Sequence, residues 1–233
     1  MIAENIQKVK KNMAEAARRS GRPSSSVQLV AVSKTKPVEA LMEAYDAGIR
    51  DFGENKVQEI LEKYDKLPKD ARFHMIGHLQ RNKVKQVIDK VCLIHSVDTY
   101  RLAQEISVQS QRMGLTSHIL IEVNMGEEES KFGTEAEDAI RLVEEIAVLP
   151  NIKIDGLMTV APYVEDPEEN REIFHKMLKL SVDIKERNID NVNMNVLSMG
   201  MTNDYCVAVE EGATIVRVGT AIFGARDYNH AKE

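Results

Sequence analysis

The sequence predicts an α/β protein built as one (β/α)8 TIM barrel with an extra helix in front of it. Three observations lead there: short apolar runs alternate with amphipathic segments from Val27 onward, eight such runs can be counted, and no low-complexity or Pro/Gly/Ser-rich stretch divides the chain. Strands separated by helices pair in parallel through right-handed crossovers, and eight units in 233 residues fit a closed barrel better than an open sheet. A Rossmann- or flavodoxin-like sheet is the competing arrangement, because closure leaves no mark in sequence. Residues 1–233 are expected to form a single domain.

From Ile2 to Arg19 the apolar positions Ile6, Val9, Met13 and Ala16 recur at three- and four-residue steps, which predicts an amphipathic opening helix ending near Gly21 and Pro23. Val27 to Val32 reads as the first strand, and Pro37 opens a helix that carries Val38, Leu41, Met42 and Tyr45 and closes at Gly48. The unit then repeats: strand Ile49 to Phe52 with a helix over Val57 to Tyr64, and strand Arg72 to Ile76 with a helix over Leu79 to Ile88. Cys92 to Val97 is the fourth strand, with Asp98 as the expected N-cap of the next helix. After the fifth strand, Ile119 to Val123, Thr134 and Glu137 have the spacing of a capping box. Strand Ile152 to Met158 precedes a long helix from Pro167 to Arg187; Met194 to Leu197 precedes a helix near Asn203 to Glu210; and Thr214 to Val218 closes the series.

Composition narrows the function classes. Hydrophobic residues make up 43% and charged residues 29%, so the chain can fill a core and disorder is not indicated. A net charge of -6 gives no reason to track a nucleic-acid backbone, and the basic cluster Arg81, Lys83, Lys85 and Lys90 reads as a solvated face. The two cysteines, Cys92 and Cys206, have no metal-ligand spacing and read as reduced, buried thiols; the six histidines show no such spacing either, so no metal is expected. The first residues mix Lys, Arg and Glu with apolar positions, unlike a signal peptide or a membrane span, and a cytoplasmic location is expected.

A β/α barrel places its active site at the C-terminal ends of its strands, so the polar residues just after each apolar run are the candidates. The first strand delivers Ser33, Lys34, Thr35 and Lys36, the second Gly53, Glu54 and Asn55, the third Gly77 and His78. Ser96, Asn124, Thr159 and Ser198 come after the next four, and Gly219 and Thr220 after the last. Lys34 stands where partial desolvation can lower its pKa and let a neutral amine attack a carbonyl; on position alone, a lysine reaching into solvent is the commoner outcome. Lys36 competes for the role but lies farther from the strand, just before Pro37. Turns around Gly200 and around Gly219 and Thr220 offer backbone N–H groups and hydroxyls to a phosphate, which barrels bind near their last strands. Arg217 alternates with Val216 and Val218 and points away from them, either into an ion pair or toward a ligand.

These blocks in this order resemble a known family. Val32, Ser33, Lys34, Thr35, Lys36 and Pro37, then Phe52, Gly53, Glu54 and Asn55, then Ile76, Gly77, His78, Leu79 and Gln80 are similar to the pyridoxal 5'-phosphate (PLP) homeostasis protein family, also called the YggS or PROSC family. The resemblance continues through Gly156 to Thr159, Ser198 to Met201 and Arg217 to Gly224, nearly the whole chain; Thr202 stands where many relatives carry serine. It implies a barrel like the N-terminal domain of alanine racemase, with PLP held as a Schiff base on Lys34, Ser198, Gly200, Gly219 and Thr220 at the phosphate, Arg217 at the pyridine nitrogen and Asn55 in the pocket.

An arginine there disfavours protonation of the ring and weakens it as an electron sink. The implied role is PLP homeostasis without robust catalysis, by a monomer that delivers PLP to apo-enzymes. No second β domain is expected to lend a tyrosine base, and Tyr228, the only tyrosine beyond the last strand, falls in a tail expected to be mobile. The alternatives are a low-activity PLP-dependent amino-acid racemase and a Schiff-base aldolase.

Overall fold

The computed structural model describes residues 1–126 and 132–225; Tyr228 and His230 lie outside the described residues. Eight parallel strands close into a barrel in sequence order. They are β1 (Gln28–Val32), β2 (Asp51–Glu54), β3 (Arg72–Met75), β4 (Val91–Val97), β5 (Ser117–Glu122), β6 (Ile152–Met158), β7 (Val192–Ser198) and β8 (Ile215–Val218). Closure is made by β8 on β1, with Gln28 opposite Ile215 and Ala31 opposite Val218. The β7–β8 seam is the thinnest, with one registered pair, Ser198 opposite Ile215.

The outer helices are α2 (Val38–Asp46), α3 (Val57–Lys63), α4 (Val84–Val87), α5 (Tyr100–Met113), α6 (Ala136–Ala147), α7 (Arg171–Glu186), α8 (Tyr205–Glu210) and α9 (Thr220–Phe223). The extra helix α1 (Ile2–Arg19) buries Ile6, Val9, Met13, Ala16 and Ala17. It is tied to the end of the chain by Asn5 Nδ2 donating to the Ile222 carbonyl and Asn12 Nδ2 donating to the Tyr205 hydroxyl. Among the described residues no helix is long and apolar enough to cross a membrane.

The barrel interior has two levels. Val30, Leu93, Leu120, Met158 and Ile215 form an apolar plug, with Val160 and Val196 against it. Side chains on a strand alternate, so the residues two positions farther along face the same interior nearer the C-terminal mouth. They include His95 after Leu93, Glu122 after Leu120, Ser198 after Val196 and Arg217 after Ile215, all buried. A polar layer therefore lies between the plug and the mouth.

Five local expectations are corrected. The segment after β3 is irregular, with Gln80 extended, and enters a 3-10 turn at Arg81–Lys83, so α4 is one turn long instead of a helix over Leu79 to Ile88. The N-cap of α5 is Thr99, not Asp98: Thr99 has the extended backbone a cap requires and its hydroxyl accepts from the Leu102 N–H. Thr134 makes no capping box with Glu137, because its N–H donates to Glu122 and its carbonyl accepts from Asn124, which leaves Glu135 at the N-cap. The stretch Pro167–Asn170 is 3-10, and α7 begins only at Arg171. The thiols are unpaired but not buried: Cys92 is exposed and Cys206 half-buried.

Candidate functional site

The first strand ends in a short turn that presents Lys34. The Lys36 N–H donates to the Ser33 carbonyl, and Thr35 takes a left-handed backbone, φ 63°, a strained conformation for a β-branched residue. Both neighbours of Lys34 are held from behind. Ser33 Oγ donates to Glu54 Oε1 at 2.6 Å, the Ser33 carbonyl accepts from Lys63 Nζ at 3.0 Å, and the Thr35 N–H donates to Glu59 Oε2 at 2.6 Å.

Lys63 Nζ also reaches Glu54 Oε1 and Glu59 Oε2, each at 2.8 Å. Two carboxylates and one ammonium thus share a buried space. Burial pushes Glu54 up to about 7 against the opposing pull of Lys63. Burial also acts to raise Glu59, but the bonds from Lys63 and the Thr35 N–H prevail and hold it below its ordinary value.

Above this cluster a cavity of about 600 Å³ opens at the C-terminal end of the strands. Lys34, Asn55, Arg217, Gly219 and Thr220 all line it, so residues from the first and last strands meet in one space. Its volume falls within the roughly 300–1,000 Å³ typical of small-molecule sites. Asn55 is placed by a close approach: a Cβ on Gly77 would sit 2.5 Å from the Asn55 carbonyl oxygen and 2.7 Å from its Cα. Lys36 is outside the lining and committed elsewhere, its ammonium donating to the carbonyls of Phe223, Gly224 and Ala225 at the end of α9.

Arg217 is only 3% exposed. Its Nη1 donates to Ser198 Oγ at 2.6 Å and its Nη2 to the Thr159 carbonyl at 2.9 Å. Among the described residues no carboxylate comes within ion-pair distance of it, so the bonds that hold it are to neutral groups, while Glu122 and Asp204 act on its charge from farther off. Burial lowers the guanidinium to about 10, with Glu122 and Asp204 opposing, which leaves it ionised at neutral pH. Glu122 itself is pushed up to about 7 by burial and by Asp98.

Two expected phosphate residues stand apart from the lining. Ser198 is fully buried with its hydroxyl between Arg217 and His95 Nδ1, 2.9 Å away, so it supports the arginine. Gly200, φ 91°, lets its loop pack on α8, where a Cβ would lie 2.5 Å from the Ala208 Cβ, and its carbonyl accepts from the Arg217 N–H. Thr202 takes the cavity position instead, its hydroxyl accepting from the Ala221 N–H at 3.3 Å at the start of α9. The signal for Thr202 was its place in the turn after Met201; a hydroxyl one turn closer to the strand was the more obvious candidate. Val32, Ile76, Val160, Pro162, Tyr163, Met201, Asn203 and Asp204 complete the lining. Asp204 is taken up by Asn170 Nδ2 and the Met201 N–H.

The family model described as alanine racemase, N-terminal domain, matches residues 5–227. A pyridoxal phosphate homeostasis protein of Aquifex aeolicus is 45% identical over 97% of this chain and 98% of its own length. The chain belongs to this family. A second member, from Pseudomonas aeruginosa, is 41% identical over 97% of this chain and 96% of its own. Among solved structures, PipY of Synechococcus elongatus with PLP bound matches with a TM-score of 0.83 at 33% identity, over 96% of this chain and 100% of that one. An alanine racemase of Clostridium difficile shares the fold, TM-score 0.74 at 14% identity, over 97% of this chain but 58% of the racemase. The family's barrel is therefore the part of the racemase to which this fold corresponds.

Proposed function

We propose that this chain binds PLP in the cavity between β1 and β8, holds it on Lys34, and serves in PLP homeostasis as a carrier, the whole chain acting as one binding unit. The observation that supports this most is the pairing of a clamped lysine with an arginine and a hydroxyl-lined turn across one cavity. Lys34 would hold an aldehyde by condensing its amine with it, forming one C=N bond and releasing one water. The donors suit the rest of the molecule: Thr202, Thr220 and the first turn of α9 for a phosphate, and the Arg217 guanidinium, a donor only, for an unprotonated ring nitrogen. Bound PLP supplies an electrophilic aldehyde in a form that another amine can take over.

Relatives named for PLP homeostasis and a relative solved with PLP support the reading. The test is the visible absorption spectrum of the purified protein and of Lys34→Ala, with borohydride reduction and peptide mapping to locate the attachment. A PLP adduct on the Lys34 peptide that vanishes in Lys34→Ala is expected; an unchanged band in the variant would refute attachment at Lys34. Single amino acids incubated with the loaded protein should keep their chirality, and Lys34-dependent racemisation would replace the carrier by a racemase.

A further inference from the structure

A chain of buried polar groups runs from the site through the barrel to its opposite face. Arg217 Nη1 donates to Ser198 Oγ at 2.6 Å, Ser198 Oγ lies 2.9 Å from His95 Nδ1, His95 Nε2 lies 3.0 Å from His74 Nδ1, and His74 Nε2 lies 3.0 Å from Asp51 Oδ1. Arg72 grips the same carboxylate with two bonds, at 2.7 and 2.6 Å. Ser198, His95 and His74 are all at most 2% exposed, so none can complete its bonding with bulk water.

Donor and acceptor chemistry fixes the direction of every link. A guanidinium only donates, so Ser198 Oγ accepts from it, and among the described residues the one acceptor placed for the serine hydrogen is His95 Nδ1. His95 then carries its proton on Nε2 and donates to His74 Nδ1. That leaves the His74 proton on Nε2, donating to Asp51. Both rings are neutral, consistent with burial holding His95 far below its ordinary range. The reverse order would leave the serine hydrogen without an acceptor among the described residues, in a buried position.

We infer that Asp51, His74, His95 and Ser198 are positioning residues for Arg217, joined in a one-way hydrogen-bond chain that fixes how the guanidinium is presented to the cavity from the far end of the barrel. Arg217 supplies the positive end and Asp51 the negative end, and aligned bonds between them polarise one another. Asp51, His74 and Cys92 also lie close enough to share a cation, but both carboxylate oxygens already face Arg72, so the cluster serves as the terminus of this chain.

The inference rests on the proposed PLP reading only where PLP is the probe, and its first test uses PLP-free protein. In 15N-histidine-labelled protein at pH 7, two-bond 1H–15N correlation should show His74 and His95 each with a protonated Nε2 and a bare Nδ1, assigned by His74→Asn and His95→Asn. An Nδ1–H tautomer or an imidazolium at either ring overturns the inference. In PLP-loaded protein, Ser198→Ala and His95→Phe should each speed release of PLP at least about tenfold and move its absorption band, as expected for loss of a charge-assisted bond. The double variant should do no more than either single one, because both cut the same chain. Additive effects, or a band and release rate unchanged by Ser198→Ala, would also overturn it. If the wild type shows no PLP band, the cavity reading falls and the tautomers alone decide; they decide as well if the variants do not fold.

Discussion

Glu54→Gln isolates a conflict built into the support of Lys34. The wild-type carboxyl is fully buried, bonded to Ser33 and Lys63, and raised from 4.5 to about 7 chiefly by burial. An acid whose pKa is higher in the folded state binds more protons folded than unfolded across that interval. Its contribution to stability is therefore fully present below about 4.5 and is lost as pH rises through about 7. Integrated between pH 5 and pH 8, the linkage relation gives a loss of roughly 2–3 kcal/mol for the wild type. Glutamine keeps an oxygen for the Ser33 hydroxyl and leaves Lys63 paired with Glu59, yet cannot titrate. Urea unfolding of both proteins at pH 5 and pH 8 measures the difference of differences, in which the cost of the substitution itself cancels. The wild type should fall relative to Glu54→Gln by roughly 2–3 kcal/mol over that range. A change under about 0.5 kcal/mol would show that Lys63 fully offsets burial and that Glu54 is an ordinary ionised carboxylate, refuting the reasoning.

Gly77→Ala should destabilise the fold by about 1–3 kcal/mol in urea unfolding and weaken PLP retention, since its Cβ would press on the Asn55 backbone at 2.5 Å. Thr202→Val keeps shape but deletes the hydroxyl in the cavity; PLP should dialyse away about tenfold faster, and inorganic phosphate should compete less well for the site. Asp51 behaves opposite to Glu54. Burial acts to raise it, but Arg72 and His74 prevail and hold it well below the usual carboxylate range, so its stabilisation is present above about 4 and is lost as pH falls further. Asp51→Asn should therefore flatten the acid limb of the stability profile measured by circular dichroism.

The barrel was legible because its signal is repeated eight times and tolerates local error. The run Val27 to Val32 and the block after it placed Lys34 at a strand end without any tertiary information, and β1 ends at Val32. Caps were less legible, because Asp98 and Thr99 are both good cap residues and only the observed backbone, extended at Thr99, separates them. Thr134 failed as a capping residue for a tertiary reason, its backbone being consumed by a bridge to Val123. The site split in a similar way. Lys34, Asn55, Arg217, Gly219 and Thr220 could be found from their positions within or just beyond the C-terminal ends of the strands. Ser198 turns to Arg217 and Thr202 lines the cavity, a difference that a turn of four residues hides in the sequence. The histidines carried no spacing signal at all. His74 and His95 meet only because neighbouring strands place them side by side in the interior.

The thin seam between β7 and β8 gives the bound molecule a mechanical part to play. One registered pair joins these strands, and the Thr214 N–H to Leu197, Met199 N–H to Ile215 and Arg217 N–H to Gly200 carbonyl bonds carry the contact from it to the mouth. Thr202 leaves one side of that seam, Gly219 and Thr220 leave the other, and Lys34 sits across the neighbouring joint. A ligand touching all of them would bridge the two sides of that seam. A ligand bound there would stabilise the barrel by mass action. On the proposed reading, the PLP-loaded protein should resist limited proteolysis better than the PLP-free protein.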